Sequence, residues 1–297
     1  DGGAEVVGAS VLGRLPTITT LFDGSDGEAA PLSATLRDTY DGPLTFPARR
    51  PHVYANFHST IDGLVSYGVK GQAGAGVISG GEPADRLVMG LLRACADVVV
   101  SGAGTLRVET KVTWTPWQVY PAAASLYREL RQDLGRPERI PVAIVTASGD
   151  VDLSLPVFRS DEVDPIVVTS LRGAERLATR STDRVRVRAV GEGEPSMRAV
   201  LDAIVEETGG GLILSEAGPR LFGRMLREGV VDELFLTVAP RIAGRSEERP
   251  GIPLVDGTAF DPGEAPSARL VSAKRSENGF LLLRYALRSA DHQVAAK

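Results

Sequence analysis

The stretch Val98-Val99-Val100-Ser101-Gly102-Ala103-Gly104-Thr105 decides the fold class of this 297-residue chain. Three β-branched residues in succession are typical of a strand that is buried on both faces. The glycines that follow allow a tight turn into a helix, because glycine adopts backbone conformations that other residues avoid. A second stretch, Leu212-Ile213-Leu214-Ser215-Glu216-Ala217-Gly218-Pro219-Arg220, repeats this order of strand, glycine turn and helix. Two such crossings predict a parallel sheet covered by helices.

The same alternation of apolar runs and amphipathic stretches extends outward from these two crossings. Predicted strands cover residues 52–57, 98–100, 142–145, 166–168, 185–188, 212–214 and 233–238, and predicted helices cover 85–96, 122–134, 196–207 and 220–228. Two further strands, 269–276 and 280–288, are joined through Glu277-Asn278-Gly279, and Asn-Gly strongly favours a β-hairpin. The sequence therefore predicts a three-layer α/β fold, with a mostly parallel central sheet and antiparallel C-terminal strands.

Composition divides the chain into three parts and excludes several function classes. Residues 1–50 are rich in glycine, proline and small polar residues, and they predict an N-terminal arm with one strand. Residues 51–288 form the main domain and 289–297 a tail. The net charge of −5 and the lack of a dense basic run argue against nucleic-acid binding. No apolar run approaches the length of a membrane span.

Cysteine and histidine content sets the expected compartment and metal content. Cys95 is the single cysteine, so no intrachain disulfide can form and a reducing compartment, the cytoplasm, is expected. Its place on an apolar helix predicts a buried thiol. Three histidines, His52, His58 and His292, cannot build a typical zinc site with one cysteine, and no metal is expected.

Polar residues at the predicted strand ends form the candidate site. Ligands of parallel sheets collect beyond the carboxyl ends of strands, where the chain carries Asn56–Gly63, Gly102–Thr105 and Glu216–Gly218. The glycines and the following helix N-termini favour a pyrophosphate. The full Gly-x-Gly-x-x-Gly fingerprint of a Rossmann loop is absent, because position 107 is arginine. The alternative is structural, with Asp62 capping backbone N–H groups of a turn and Glu216 in solvent.

These stretches resemble the reductase domain of bifunctional riboflavin-biosynthesis deaminase-reductases and its stand-alone relatives. Three blocks match in order: Ser59–Gly63, then 85–107 with its Leu-Arg-Ala-x-Ala-Asp and Gly-x-Gly-Thr-x-Arg pattern, then 216–240 with Glu-x-Gly, Val-Asp-Glu and Ala-Pro. The resemblance covers about residues 51–288. It implies a dihydrofolate-reductase-like fold, NADPH as the hydride donor and a homodimer, often formed through the C-terminal strands.

The resemblance also implies roles for individual residues. The cofactor-binding residues are Thr60, Gly102, Gly104, Thr105, Glu109, Ser148, Gly218, Pro219, Arg220, Leu221, Phe222, Gly223 and Arg224, with Ser148 at the 2′-phosphate. The substrate-binding residues are Glu216, Arg93, Arg86 and His58. Asp62 and Glu216 are the catalytic candidates, with Glu216 holding the heterocycle and the proton coming from Asp62 or from water.

Departures from the family pattern leave three functions open. The zinc-binding deaminase motifs are missing, so no deamination is expected. Val108–Trp117 replaces the family's Asp-Asn/Asp-Pro and an arginine that helps to hold a ribose phosphate. The expected activity is NADPH-dependent reduction of a ribosylamino-pyrimidine phosphate of riboflavin biosynthesis. The alternatives are a dihydrofolate-reductase-like pterin reductase and a catalytically silent NADPH-binding dimer. Trp114 and Trp117 either wall a ring pocket or anchor a loop.

Overall fold

The computed structural model describes residues 15–69, 75–180 and 183–288. The strands are β1 (Ile18–Asp23), β2 (Glu28–Ala29), β3 (Thr45–Phe46), β4 (His52–Thr60), β5 (Leu64–Ser66), β6 (Val98–Gly102), β7 (Ile140–Thr146), β8 (Val163–Thr169), β9 (Arg186–Ala189), β10 (Leu212–Ser215), β11 (Glu233–Ala239), β12 (Ile252–Pro253), β13 (Ser267–Ser276) and β14 (Leu281–Arg288). The helices are α1 (Ala34–Tyr40), α2 (Ala75–Ser79), α3 (Pro83–Cys95), α4 (Ala103–Val108), α5 (Pro116–Val119), α6 (Ala124–Asp133), α7 (Pro156–Arg159), α8 (Leu171–Ala178), α9 (Met197–Thr208) and α10 (Pro219–Arg227).

A ten-stranded sheet in the order β1-β13-β14-β11-β4-β10-β6-β7-β8-β9 forms the frame. From β11 to β9 all neighbouring strands are parallel, whereas β11–β14, β14–β13 and β13–β1 are antiparallel. This arrangement confirms the predicted mostly parallel sheet with an antiparallel C-terminal end. At the Asn278-Gly279 hairpin only the glycine has a positive φ, of 82°. The three-residue loop Glu277–Gly279, closed by a hydrogen bond from the Ser276 amide to the Phe280 carbonyl, joins the two strands as predicted.

Helices cover both faces of the sheet, because side chains of successive strand residues point to opposite faces. On one face Tyr54 of β4 packs towards α3, and its hydroxyl donates a 2.7 Å hydrogen bond to the Leu92 carbonyl. On the other face Phe57 packs against Phe222 of α10, with ring centroids 4.6 Å apart. The predicted three layers are confirmed, and α3 and α10 lie on opposite sides of β4.

The described part of the N-terminal arm, residues 15–50, contains more structure than the predicted single strand. β1 extends the main sheet next to β13, and α1 buries Leu36 and Tyr40 in the core. The Lys274 ammonium of β13 lies 4.3 Å from the Tyr40 ring centroid and donates to the Thr20 hydroxyl at 2.7 Å. Residues 1–14 and the predicted tail 289–297 lie outside the described residues.

Cys95 is buried at the end of α3, as predicted, and burial raises the pKa of its thiol to about 12. This thiol is therefore protonated and unreactive at neutral pH.

Candidate functional site

The two glycine crossings that decide the fold class lie side by side. β6 and β10 are neighbouring parallel strands, with Val100 opposite Ser215. Beyond that pair the Glu216 amide donates to the Val100 carbonyl at 2.8 Å, and the Ser101 hydroxyl donates to the Glu216 carbonyl at 3.1 Å. The starts of α4 and α10 therefore share one rim of the sheet.

Glycine allows the two crossings to approach each other and leaves room above them. A Cβ on Gly218 would lie 2.9 Å from the Thr105 hydroxyl oxygen, and one on Gly102 would lie 3.2 Å from a Leu221 methyl carbon. Gly104 is exposed, and a Cβ there would meet no atom within 4 Å. The Thr105 hydroxyl is buried and has no hydrogen-bond partner within the described part of the chain. A buried hydroxyl without a partner beside an open glycine fits a bound ligand.

The N-terminus of α10 is suited to an anion. Gly218 is its N-cap and supplies no side-chain hydrogen bond, and Pro219 occupies the first turn. Because the first N–H groups of a helix have no partner within the helix, and the helix dipole is positive there, this end favours a phosphate.

Of the segment Gly218–Arg224, predicted to bind the pyrophosphate, only the first residues lie at the rim. Phe222 is buried in the core, and Gly223 packs against Thr258 and Val255. The Arg224 guanidinium pairs with the Glu194 carboxylate at 2.6 Å and with the Pro195 carbonyl at 2.6 Å, so its charge is already engaged. These three residues do not face the site, because only the first turn of a helix lies at its N-terminal end.

The remaining predicted residues of this segment differ in position. Leu221 packs over Gly102. Arg220 is largely exposed and its guanidinium pairs with the Asp256 carboxylate at 2.8 Å. Arg220 therefore lies at the rim, and the Asp256 carboxylate partly neutralises its charge.

Two predicted substrate residues, Arg93 and Glu216, bind each other. Arg93 Nε and Nη2 donate to the two Glu216 carboxylate oxygens at 2.7 and 2.6 Å, and the two side chains are 5% and 11% exposed. Arg93 Nη1 also donates to the Thr115 carbonyl at 3.3 Å. Such a bidentate pair fixes the orientation of the carboxylate and leaves each oxygen a second lone pair for a ligand N–H.

Arg86, the other predicted substrate arginine, donates from Nε to the Val119 carbonyl at 2.7 Å. Arg86 and Arg93 therefore both hold the loop of residues 109–120 against α3. Within this loop Trp114 is buried, whereas the Trp117 ring stacks on the Arg128 guanidinium at 4.1 Å. These contacts support the loop-anchoring alternative for both tryptophans.

His58 lies in a buried polar cluster beneath α3. Its neighbours are Asp85 and Glu82 from the start of α3 and Thr237 from β11, which is opposite His58 in the parallel register. His58 Nε2 and one Glu82 carboxylate oxygen have no hydrogen-bond partner among the described residues. The sequence prediction missed Asp85. Its spacing from Val88 and Leu92 places it on the buried face of α3, and an aspartate on a buried helix face is the signal that could have identified it.

Asp62 does not fit the predicted role of proton donor. Its carboxylate accepts hydrogen bonds from the Ala243 and Gly244 amides at 3.0 and 2.8 Å. The hydrogen bonds from the Ala243 amide, the Thr60 hydroxyl and the Gly244 amide lower the pKa of Asp62 to about 2. The group is ionised at neutral pH and has no proton to give, so the structural alternative describes it better. Thr60 is buried, and its hydroxyl also accepts a hydrogen bond from the Leu64 amide at 3.0 Å.

Removal of the Asp62 carboxylate is expected to free the loop after β11. In D62A, hydrogen exchange at the Ala243 and Gly244 amides should rise roughly tenfold, since each loses a charge-assisted hydrogen bond.

In the wild type the protection of these two amides against exchange should persist down to about pH 4 and decline as the pH falls towards 2, because the native pKa of Asp62 lies below its ordinary value. The control D152A removes an exposed carboxylate that accepts hydrogen bonds from the Ser154 amide and hydroxyl. Unchanged exchange in D62A would refute the anchoring role.

Ser148 follows β7, the strand next to β6, and so lies at the same rim. Its hydroxyl accepts the Asp150 amide at 3.2 Å, and the Arg107 guanidinium of α4 reaches the Asp150 carbonyl at 3.4 Å. The structure thus places the Arg107 guanidinium, which the sequence prediction missed, next to Ser148.

Glu109, a predicted cofactor-binding residue, is the C-cap of α4, and its amide donates to the Thr105 carbonyl at 2.8 Å.

The described ranges contain neither a metal-binding cluster nor a membrane-spanning helix. No group of three or more histidine, cysteine, aspartate or glutamate side chains there is arranged to hold a metal ion. No helix in those ranges is both long enough and apolar enough to span a membrane.

Comparisons with known proteins place the fold and the family. A crystal structure of a pyrimidine reductase-like protein from Corynebacterium diphtheriae is similar, with a TM-score of 0.61 and 26% identity over 80% of this chain and 92% of that chain. The Thermotoga maritima diaminohydroxyphosphoribosylaminopyrimidine deaminase/5-amino-6-(5-phosphoribosylamino)uracil reductase gives 0.57 and 17% over 80% and 57%. The Saccharomyces cerevisiae riboflavin biosynthesis reductase Rib7 gives 0.55 and 15% over 82% and 93%. The last two likenesses concern the fold alone, whereas the likeness to the Corynebacterium diphtheriae structure confirms the predicted dihydrofolate-reductase-like α/β fold.

The family itself is decided by sequence. No curated protein matches the chain. The model of the RibD C-terminal domain matches residues 51–282, which include both glycine crossings, the Arg93–Glu216 pair and the buried cluster around His58. The chain belongs to the RibD C-terminal domain family.

Proposed function

We propose that this protein is an NADPH-dependent reductase of a ribosylamino-pyrimidine phosphate in riboflavin biosynthesis. The observation that carries the proposal is the shared rim of the two glycine crossings, with a buried Thr105 hydroxyl that lacks a partner within the described ranges. Membership of the RibD C-terminal domain family and the similarity to a pyrimidine reductase-like protein support it.

The residues at the rim fit a dinucleotide. The first-turn N–H groups of α10 and the Thr105 hydroxyl would hold the pyrophosphate, and the open space above Gly104 would admit it. When bound, NADPH supplies a hydride to the substrate. The part of the protein is to hold the acceptor carbon in contact with the donor and to exclude water.

The Arg93–Glu216 pair fits a heterocycle with exocyclic amino and ring N–H groups. The Arg93 guanidinium orients the Glu216 carboxylate through two hydrogen bonds, so the remaining lone pairs of the carboxylate can accept from two neighbouring donors of a pyrimidine. A pterin offers a similar pair of donors, so dihydrofolate is the alternative substrate to be tested.

The test is spectrophotometric oxidation of NADPH with 5-amino-6-(5-phosphoribosylamino)uracil and, separately, with dihydrofolate. The expected result is turnover with the pyrimidine and none with dihydrofolate. Turnover only with dihydrofolate would replace the proposed substrate. Binding of NADPH without turnover on either would identify a catalytically silent cofactor-binding protein.

Arg107 and Ser148 are proposed to recognise the 2′-phosphate of NADPH. In R107A, kcat/KM for NADPH should fall about tenfold while that for NADH stays the same, since a hydrogen bond to a charged phosphate contributes about 1.5–3 kcal/mol. The matched control is R198A, an exposed arginine on α9. Equal losses with both cofactors would place Arg107 elsewhere in the site.

We further propose that the protein acts as a homodimer through β1, β13 and β14. These neighbouring strands carry exposed apolar side chains, among them Leu21, Phe22, Leu270 and Leu281. Exposed apolar residues on adjoining strands are typical of a surface that a partner covers. Sedimentation equilibrium of the wild type and of F22E distinguishes a dimer on this surface from a monomer.

A further inference from the structure

The loop of residues 109–120 contains a residue whose backbone adopts an unfavourable conformation. Trp114 has a φ of 58°, in the left-handed region that bulky residues rarely adopt, and the residue is only 2% exposed. Such a conformation persists only where the surrounding structure holds it, and it is found preferentially at functional sites. The chain neighbours of Trp114, Thr113 and Thr115, are buried as well. The contacts of these two threonines show what holds the turn and what the turn holds in place.

The Gln118 side chain of α5 closes the turn around Trp114. Its carbonyl oxygen, Oε1, accepts hydrogen bonds from the Thr113 amide at 2.6 Å and from the Thr113 hydroxyl at 2.9 Å. Its amide nitrogen, Nε2, donates to the Lys111 carbonyl at 2.8 Å. One side chain therefore fixes the backbone on the N-terminal side of Trp114.

The two threonine hydroxyls extend this constraint to the C-terminal side of Trp114. The Thr113 and Thr115 hydroxyl oxygens are 3.2 Å apart. Because Thr113 donates its single hydroxyl proton to Gln118, the Thr115 hydroxyl is the donor in the bond between the threonines. Thr115 is fully buried, so water does not replace this bond. The position of Thr115 is therefore linked to that of the Gln118 side chain.

The Thr115 carbonyl is one of two points at which the loop is bound to α3. It accepts a 3.3 Å hydrogen bond from Arg93 Nη1, and the Val119 carbonyl accepts one of 2.7 Å from Arg86 Nε. The two arginines lie on the same face of α3, about two turns apart. Gln118 therefore lies in the segment that both arginines hold against the helix.

The bond to Thr115 fixes the orientation of the Arg93 guanidinium. Nε and Nη2 of Arg93 bind the two Glu216 oxygens, and Nη1 binds the Thr115 carbonyl. Because a guanidinium is planar and its donors point in fixed directions, a third contact outside the carboxylate pair restricts its rotation. The same contact therefore restricts the plane in which the Glu216 carboxylate is held.

We propose that Gln118 is a positioning residue, which holds the Arg93 guanidinium through the Trp114 turn and thereby orients the Glu216 carboxylate. The inference rests on the proposed function in one respect, namely that this carboxylate would bind the heterocycle of the substrate. Gln118 is itself exposed, so its substitution removes hydrogen bonds without opening a cavity in the core.

The test compares the full-length wild type with Q118M, Q118E and the control Q132M. Methionine is similar in size to glutamine and forms none of the three hydrogen bonds of Gln118. Glutamate keeps the acceptor for Thr113 and loses only the donor to the Lys111 carbonyl. Q132M makes the same exchange at an exposed glutamine of α6. All three variants should melt within a few degrees of the wild type, because each changes an exposed side chain.

The first measurement is hydrogen exchange at the Nε–H group of Arg93, followed by 1H–15N NMR and assigned by the loss of its signal in R93K. In the wild type this group is buried and donates to Glu216 at 2.7 Å, so its exchange should be slow. In Q118M we expect exchange about tenfold faster, because the guanidinium loses its hydrogen bond to the Thr115 carbonyl. Q118E should show a smaller increase and Q132M none. Wild-type exchange in Q118M would overturn the proposal.

The second measurement is the steady-state reduction of the pyrimidine by NADPH. In Q118M the KM for the pyrimidine should rise about fivefold while kcat and the KM for NADPH change less than twofold, since loss of binding that is equal in the ground and transition states raises KM alone. Q118E should show a smaller rise in KM. A merely structural role of Gln118 would instead reduce the amount of active enzyme, and so lower kcat at an unchanged KM.

The outcomes separate this inference from the proposed function. If the wild type reduces the pyrimidine and Q118M keeps the wild-type KM, Gln118 does not position the substrate site. If the wild type oxidises no NADPH with the pyrimidine, the proposed function fails. Exchange at the Arg93 Nε–H group then still decides whether Gln118 orients the buried pair, because that measurement needs no substrate.

Discussion

Substitution of Gly218 by valine is expected to weaken NADPH binding on the order of 100-fold, about 2.7 kcal/mol, while the protein stays folded. A Cβ at this position would lie 2.9 Å from the Thr105 hydroxyl oxygen, and the two methyl groups of valine would fill the space above the start of α10. The backbone tolerates the change, because Gly218 has φ −68° and ψ 167°. Quenching of tryptophan fluorescence by NADPH measures the affinity.

Two further variants make the Gly218 experiment specific. G218A adds only one methyl group, so its effect should be smaller than that of valine. G193V places the same valine at an exposed glycine where φ is not positive and where a Cβ would meet no atom within 4 Å. If G218V binds NADPH as tightly as G193V does, the cofactor does not lie on this rim.

Substitution of Arg93 by methionine is expected to lower the free energy of unfolding by about 3–5 kcal/mol, because it leaves the Glu216 carboxylate buried without a partner. Urea denaturation measures the loss. The double variant R93M/E216L should recover most of the stability, since an apolar pair of similar volume replaces a buried ion pair with little cost. The double variant should nevertheless stay inactive, because the heterocycle has lost its carboxylate.

The matched control for Arg93 is R128M. Arg128 pairs with Glu162 at 3.2 Å, and both side chains are about half exposed, so its removal should cost about 1 kcal/mol or less. A loss in R93M no greater than that in R128M would show that the buried pair is not a structural anchor. Full activity in R93M/E216L would show that the substrate does not use this pair.

The fold was largely predictable where the signal is local. The run Val98–Val100 and the turn Gly102–Thr105 predict a buried strand and a crossing without any distant information, and both are present. α8 was not among the helices predicted with bounds, because its eight residues include few large apolar ones. α1 was missed for a similar reason, since its seven residues bury only Leu36 and Tyr40.

The candidate site was less predictable, because its pairings join distant parts of the chain. Arg93 and Glu216 were both expected at the substrate, but their mutual ion pair spans 123 residues. The Asp62 carboxylate binds amides about 180 residues away, and nothing in its local turn indicates them. Asp85 was visible only as an acid on an apolar helical stripe. Its neighbours His58 and Thr237 depend on the register between β4 and β11, which a single sequence does not reveal.

The proposed function depends on the two glycine crossings binding one dinucleotide together. An NMR titration of the 15N-labelled wild-type protein with NADPH measures this joint binding, because it follows the backbone amides at the starts of α4 and α10 separately. We expect the amides of residues 102–106 and 218–221 to shift together, with the same dissociation constant. Shifts confined to one of these segments, or no shift in either with NADPH in excess, would contradict joint binding of the cofactor.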